Sequence, residues 1–176
     1  MTNNLKCFEI DAQCLFNAFL SGNNEVIKNK NALDRINVFP VADGDTGTNL
    51  VLTLNSVQHS KIQNTAGETL AAMADAALSG ARGNSGIIFA EFIGGLSENL
   101  RKIEKISAHD LAEGAKNAVH RAYNAISEPV EGTILTVLKD WAHAVEKNKT
   151  LKDFTRILPE TLQTAKVSLE NTLQSA

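Results

Sequence analysis

Apolar residues along most of the chain recur at three- and four-residue steps, the period of one buried helix face. Ile10, Cys14, Leu15 and Phe19 step in this way, and Ser21-Gly22-Asn23-Asn24 reads as a break after them. A second helix carries Val26, Ile27, Leu33 and Ile36. Leu50 to Ser56 predicts a third, beginning near Thr46. Thr65 to Ser79 is rich in alanine, the strongest helix former. After Gly80-Ala81-Arg82-Gly83, Asn84 is placed to cap a helix through Ile87, Ile88, Phe92 and Ile93. Ser107 and Asp110 have the spacing of a capping pair and open a helix to about Ser127. Gly132 to Glu146 makes the seventh, and Thr150 with Asp153 caps a last helix from Leu151 to about Thr172. No segment alternates with period two between hairpin turns, so no strand is predicted. The one β-like run, Val38-Phe39-Pro40-Val41, is short and carries proline. With no repeat or linker in view, the connections predict an all-α antiparallel bundle of seven or eight helices in a single domain, 1–176.

Composition narrows the function classes. The chain has 176 residues, 43% hydrophobic and 21% charged, enough apolar content for a core. Aromatics make up 5% and the net charge is −3, against the basic face and stacking rings of a nucleic-acid binder. Phosphate binding through metal ions stays open. No basic n-region leads into an apolar run at the N-terminus, and no stretch of ~18 apolar residues occurs, so neither a signal peptide nor membrane insertion is expected and a cytoplasmic location is. On a helix, Cys7 and Cys14 would stand about 10 Å apart, too far for a disulfide, and both read as reduced core thiols. His59, His109, His120 and His143 lack metal-ligand spacing, which argues against zinc, and Trp141 reads as a core residue.

Three segments exceed what a plain bundle needs. Asp43-Gly44-Asp45-Thr46-Gly47-Thr48-Asn49 sets two carboxylates two residues apart just before an apolar helix. Mg²⁺ is commonly held by one or two carboxylates together with phosphates and water. An EF-hand is excluded, because Gly47, Thr48 and Leu54 stand where a ligand, a glycine and a glutamate are required. The structural alternative is an Asp-Gly turn with capping residues. Gly80-Ala81-Arg82-Gly83-Asn84-Ser85-Gly86 is neither a P-loop nor a nucleophile elbow. It puts small residues and a hydroxyl at a helix start, suited to phosphate or to close helix packing. In Pro129-Val130-Glu131-Gly132-Thr133-Ile134-Leu135-Thr136, Thr133 sits where it caps a helix or meets a phosphate.

Asn37 to Asn49, Gly80 to Gly86 and Pro129 to Thr136 together, in order and spacing, resemble the N-terminal kinase domain of bacterial fatty acid kinases. That domain is related to the nucleotide-binding, DhaL-like subunit of dihydroxyacetone kinases. The resemblance implies an α-barrel of eight antiparallel helices whose loops at one end hold ATP and two Mg²⁺ ions. It places Asp43, Asp45 and Asn37 at the metals, with Asp34, one turn earlier, as an alternative third ligand. It makes Thr46, Gly47, Thr48 and Asn49 phosphate- and metal-side contacts, and Asn84, Ser85 and Gly86 phosphate contacts. Thr133 is implied near the nucleotide, and Arg82 is the candidate for stabilising transferred charge, a surface or packing role being the alternative.

The family usually has proline where Ala42 stands, and continues past Leu169-Glu170-Asn171-Thr172 into an Asp-x-Gly-Gly-type loop over the nucleotide. The expectation is therefore a domain lacking that closing segment. The implied reaction is phosphoryl transfer from ATP to an acyl carboxylate presented by a fatty-acid-binding, DegV-type partner. Homodimerisation through other domains of the family is a further expectation. A carboxylate is already a nucleophile at neutral pH, so positioning and charge neutralisation carry the catalysis. Two alternatives stand beside this: a dihydroxyacetone kinase-type subunit, and a non-catalytic module that binds nucleotide or a partner.

Overall fold

The computed structural model describes residues 5–37 and 43–175. The Val38–Val41 run and Ala42 lie outside the described residues. Among those described, the chain is an all-α bundle: α1 (Ala12–Arg35), α2 (Thr46–Gln58), α3 (Ala66–Gly80), α4 (Gly83–Glu98), α5 (Ala108–Asn124), α6 (Ile134–Asn148) and α7 (Phe154–Ser175). A 3₁₀ turn at Lys149–Leu151 leads into α7. Two short strands, β1 (Glu9–Ile10) and β2 (Ile106–Ser107), pair antiparallel with Ile10 opposite Ile106. A two-residue ladder is too short to show alternation, so the sequence carries no signal for it.

Among the described residues there are seven α-helices, within the seven or eight expected, because the first two predicted helices are one. Asp11 caps α1, its carboxylate accepting from Cys14 N at 2.8 Å, and the helix runs on through Ser21–Asn24. Gly22 is exposed with open space around it. A single exposed glycine costs only about 1 kcal/mol in a helix, less than interrupting 24 residues of packed helix. Asn23 turns inward and is buried, its amide without a hydrogen-bond partner among the described residues. Such a group costs about 1–3 kcal/mol, so the helix continues here despite its sequence rather than because of it.

Other boundaries follow local chemistry. Thr65 caps α3 by accepting from Glu68 N. Ser107 and Asp110 form the capping box that opens α5, which ends at Asn124 rather than Ser127. Asn84 is not a cap: Arg82 holds that position, its backbone N–H donating to Thr53 Oγ1 at 3.2 Å, and α4 starts at Gly83. Thr150 lies in the 3₁₀ turn, and Asp153 takes the capping role. Its Oδ1 accepts from Thr155 N, Thr155 Oγ1 and Cys7 N at 3.1, 2.8 and 3.1 Å. Cys7 thus precedes α1 and is half-buried while Cys14 is exposed; both are free, which corrects the reading of two core thiols.

Consecutive helices are neighbours, and small residues set how closely they pack. Between α4 and α5, a Cβ on Gly95 would lie 2.5 Å from Ala118 Cα, so this pair packs backbone to backbone. Arg121 pairs with Glu91 and Asn117 Nδ2 donates to Gly95 O, a register that runs the two helices antiparallel. The core gathers Met73, Ala77, Ile88, Ile93, Leu135 and neighbouring residues. Trp141 of α6 joins it edge-on to Phe92 of α4, ring centroids 5.8 Å apart, the core role expected of it. The N-termini of α2 and α4 come together at one edge of this frame.

Candidate functional site

The site is built on the junction of α1 and α2. A Cβ on Gly47 would lie 2.3 Å from the Lys30 carbonyl oxygen, so only glycine lets the first turn of α2 rest on the last turns of α1. Asp34 bridges the two helices. Its Oδ1 accepts from Thr48 N at 2.8 Å, and its Oδ2 accepts from Thr48 Oγ1 at 2.9 Å and Lys30 Nζ at 3.0 Å. The Lys30 bond first, then that of the Thr48 amide, holds Asp34 at about 2, below the usual 3.8. Thr48 spends both its donors on this carboxylate.

Asn37, just past α1, reaches the turn from the other side. Its Nδ2 donates to Asp43 Oδ1 at 2.9 Å, and its Oδ1 accepts from Thr46 Oγ1. Gly44 takes φ +68°, which reverses the chain between the two aspartates. Asp43 is exposed, and Asp45 is half-buried at the head of α2 with no capping bond from its side chain. The Asn37 amide and the Asp43 carboxylate therefore meet at the start of α2, where Asp45 is the first flanking residue.

The second segment meets the first directly. Ser85 Oγ donates to Thr46 O at 3.2 Å. A Cβ on Gly83 would lie 2.2 Å from Asn49 Nδ2, and one on Gly86 would lie 2.2 Å from Thr53 Oγ1. Thr53, fully buried, ties the two together by donating to Asn49 O at 2.9 Å while accepting from Arg82 N. Two helix N-termini thus lie side by side, each a source of unpaired N–H groups and positive potential. The Arg82 side chain is exposed, and its Nη1 donates to the adjacent Ala81 O at 2.8 Å.

The third segment is organised by itself. Thr133 caps α6: its Oγ1 accepts from Leu135 N at 3.3 Å and donates to Val130 O at 2.7 Å. Glu131 gathers Tyr123 Oη, Lys139 Nζ and Thr136 Oγ1 at 2.8, 2.7 and 2.6 Å. The hydrogen bonds that join the first two segments do not reach this one among the described residues. Sequence reading missed Thr53 and the Glu131 cluster. Lys30 and Asp34 did carry a signal, an oppositely charged pair four apart on a helix. The Tyr123–Glu131, Asp34–Thr48 and Thr53–Arg82 pairs are 8, 14 and 29 residues apart and leave no local pattern.

A model of the DAK2 domain matches residues 40–176. The chain belongs to the DAK2 domain family. It is 39% identical over 168 residues to an uncharacterized protein of Staphylococcus saprophyticus, covering 93% of this chain and 30% of that protein. Two uncharacterized Staphylococcus aureus proteins, from strains RF122 and USA300, are 37% and 36% identical over the same length, each with 31% of its length covered. The chain spans just under a third of the relatives it matches. A DAK2 domain is kinase-related, of the dihydroxyacetone kinase family, and domains of this kind bind adenine nucleotides. No helix among the described residues is long and apolar enough to cross a membrane.

The donor set of this DAK2 domain fits a hard cation. Asp43, Asp45 and the Asn37 amide supply oxygen ligands only, as Mg²⁺ prefers. Among the described residues no three His, Cys, Asp or Glu side chains gather as a metal cage. All four histidines are exposed.

Proposed function

We propose that this DAK2 domain binds ATP with two Mg²⁺ ions where α2 and α4 begin, and transfers the γ-phosphoryl group to a fatty acid carboxylate. A carboxylate oxygen forms the new P–O bond, the bond to the β-phosphate oxygen breaks, and ADP and an acyl phosphate leave. The observation that supports this reading is the pair of helix N-termini bonded to each other through Ser85 and Thr46, beside the hydrogen-bonded Asn37–Asp43 pair and with Asp45 at the head of α2. Asp43, Asp45 and Asn37 would hold the ions, which when bound supply charge neutralisation on the phosphates. Thr46, Gly47 and Asn49 would contact the phosphates from α2, and Asn84, Ser85 and Gly86 from α4, where backbone N–H groups suit an anion. Thr48, whose hydroxyl proton goes to Asp34, would contribute its oxygen as an acceptor. Arg82, exposed at the head of α4, is free to swing toward transferred charge, and Thr133 borders the nucleotide from α6. A DegV-type protein presents the acyl chain, since a fatty acid needs an apolar carrier up to the moment of reaction.

Melting curves test the nucleotide part. Mg·ATP at about one hundred times its dissociation constant stabilises by about 2.7 kcal/mol, a shift of several degrees in Tm. Asp43→Ala combined with Asp45→Ala abolishes that shift. An unchanged Tm at millimolar Mg·ATP would defeat the reading for this chain. The acceptor is tested by supplying either a fatty-acid-loaded DegV-type protein or dihydroxyacetone. Acyl phosphate in the first mixture supports the proposal, and phosphorylated dihydroxyacetone in the second replaces it with the small-polyol reading.

A further inference from the structure

Asp34 sits where three pieces of the site meet. Its side chain is 16% exposed, on the last turn of α1. Its backbone oxygen accepts from Asn37 N at 3.4 Å and lies 3.7 Å from where a Cβ on Gly44 would be. Its carboxylate holds the Thr48 amide and hydroxyl, and Lys30 approaches the same oxygen that takes the hydroxyl. A Cβ on Gly47 would come within 3.0 Å of Asp34 Oδ1, so the carboxylate lies flat against the first turn of α2.

This geometry opposes a role as metal ligand. Turning the carboxylate away toward an ion would strand the Thr48 N–H, one of the backbone N–H groups a helix start cannot satisfy internally. We infer that Asp34 is a positioning residue: it fixes Thr48, and through Thr48 the Asp45–Asn49 turn that carries the proposed metal and phosphate contacts. Lys30 keeps the carboxylate charged and turned toward α2. The kinetic consequence rests on the proposed function; the structural one does not.

Amide hydrogen exchange on the nucleotide-free protein reads the structural part. Asp34→Ala raises exchange at Thr48 and Asn49 by about tenfold or more, because the capping acceptor is gone. Asp34→Asn restores protection, since its amide oxygen can accept from Thr48 N while its NH₂ donates to Thr48 Oγ1. Lys30→Met, which leaves the cap in place, shifts exchange the same way by about twofold and serves if Asp34→Ala does not fold. In Mg·ATP titrations, Asp34→Ala weakens nucleotide binding by about tenfold. Asp34→Asn binds ATP nearly as the parent does, with the same Mg²⁺ half-saturation. In the exchange measurement, adding Thr48→Val to Asp34→Ala raises exchange at Asn49 no further, because the two act as one structural unit. Unchanged exchange in Asp34→Ala overturns the inference. So does an Asp34→Asn variant that needs much more Mg²⁺, the mark of a lost ligand. A parent protein that ignores Mg·ATP defeats the proposed function instead, and the exchange measurements still decide the role of Asp34.

Discussion

The first and third loops are held by the same device in different surroundings. Each centres on a carboxylate that takes a lysine ammonium and the hydroxyl of a threonine in the first turn of a helix: Asp34 with Lys30 and Thr48, Glu131 with Lys139 and Thr136. Asp34 lies between two helices in backbone contact at Gly47. The Glu131 side chain is 59% exposed, and Gly132 beside it, at φ +79°, has open space where a side chain would go. The same bonds therefore do different work. Behind Gly47 they lock a turn that packing has already narrowed to one position. Around Glu131 they are most of what the turn has. Exposed charge pairs contribute little in water, so the third loop is the softer of the two.

Substitutions at the two glycines separate these cases most widely. Gly47→Ala drives a Cβ into the Lys30 carbonyl, and the loss expected is about 3 kcal/mol or more, read from denaturant midpoints. Gly132→Ala meets no atom and carries only the left-handed backbone penalty, about 1 kcal/mol. Equal losses at the two positions would erase the contrast.

Acid titration sharpens it further. Lys139, then Thr136 and Tyr123, hold Glu131 at about 2 in the folded protein against 4.5 for a free side chain. A depressed carboxylate stabilises fully above its unfolded value, and that contribution disappears as pH falls through the folded one. Tm therefore declines between pH 4.5 and about 2, and Glu131→Gln removes the portion that sets in at 4.5. The Asp34 contribution, between 3.8 and about 2, remains in that variant. An identical acid profile in Glu131→Gln and the parent would show that the third-loop cluster does not hold in solution. The smallest effect belongs to Tyr123→Phe, which removes one of three donors to an exposed carboxylate: about 0.5 kcal/mol or less.

Where a structural cue lay within a few residues, it was legible. Thr65 and Glu68, and Ser107 and Asp110, are three apart, and both open helices as their spacing requires. The start of α2 at Thr46 follows from polar and small residues placed ahead of an apolar helix. Misreadings arose where a distant partner outweighed a local preference. Asn84 is a good capping residue, but Thr53, 29 residues before Arg82, accepts from the Arg82 N–H and the cap lies two residues before Asn84. Gly22-Asn23-Asn24 breaks helices in isolation, yet α1 passes through because its flanking turns pack on α2 and α3.

The amino-acid sequence by itself determined that the chain is helical, where most helices begin, and which residue types stand at their mouths, because propensity and capping act over one helical turn. Only the tertiary structure decided that Asp34 belongs to Thr48, that Thr53 joins two loops, and that Glu131 gathers a tyrosine, a lysine and a threonine. Those pairings depend on how closely helices approach. That closeness is set by the space left at glycines such as Gly47 and Gly95, which no local pattern along the chain records.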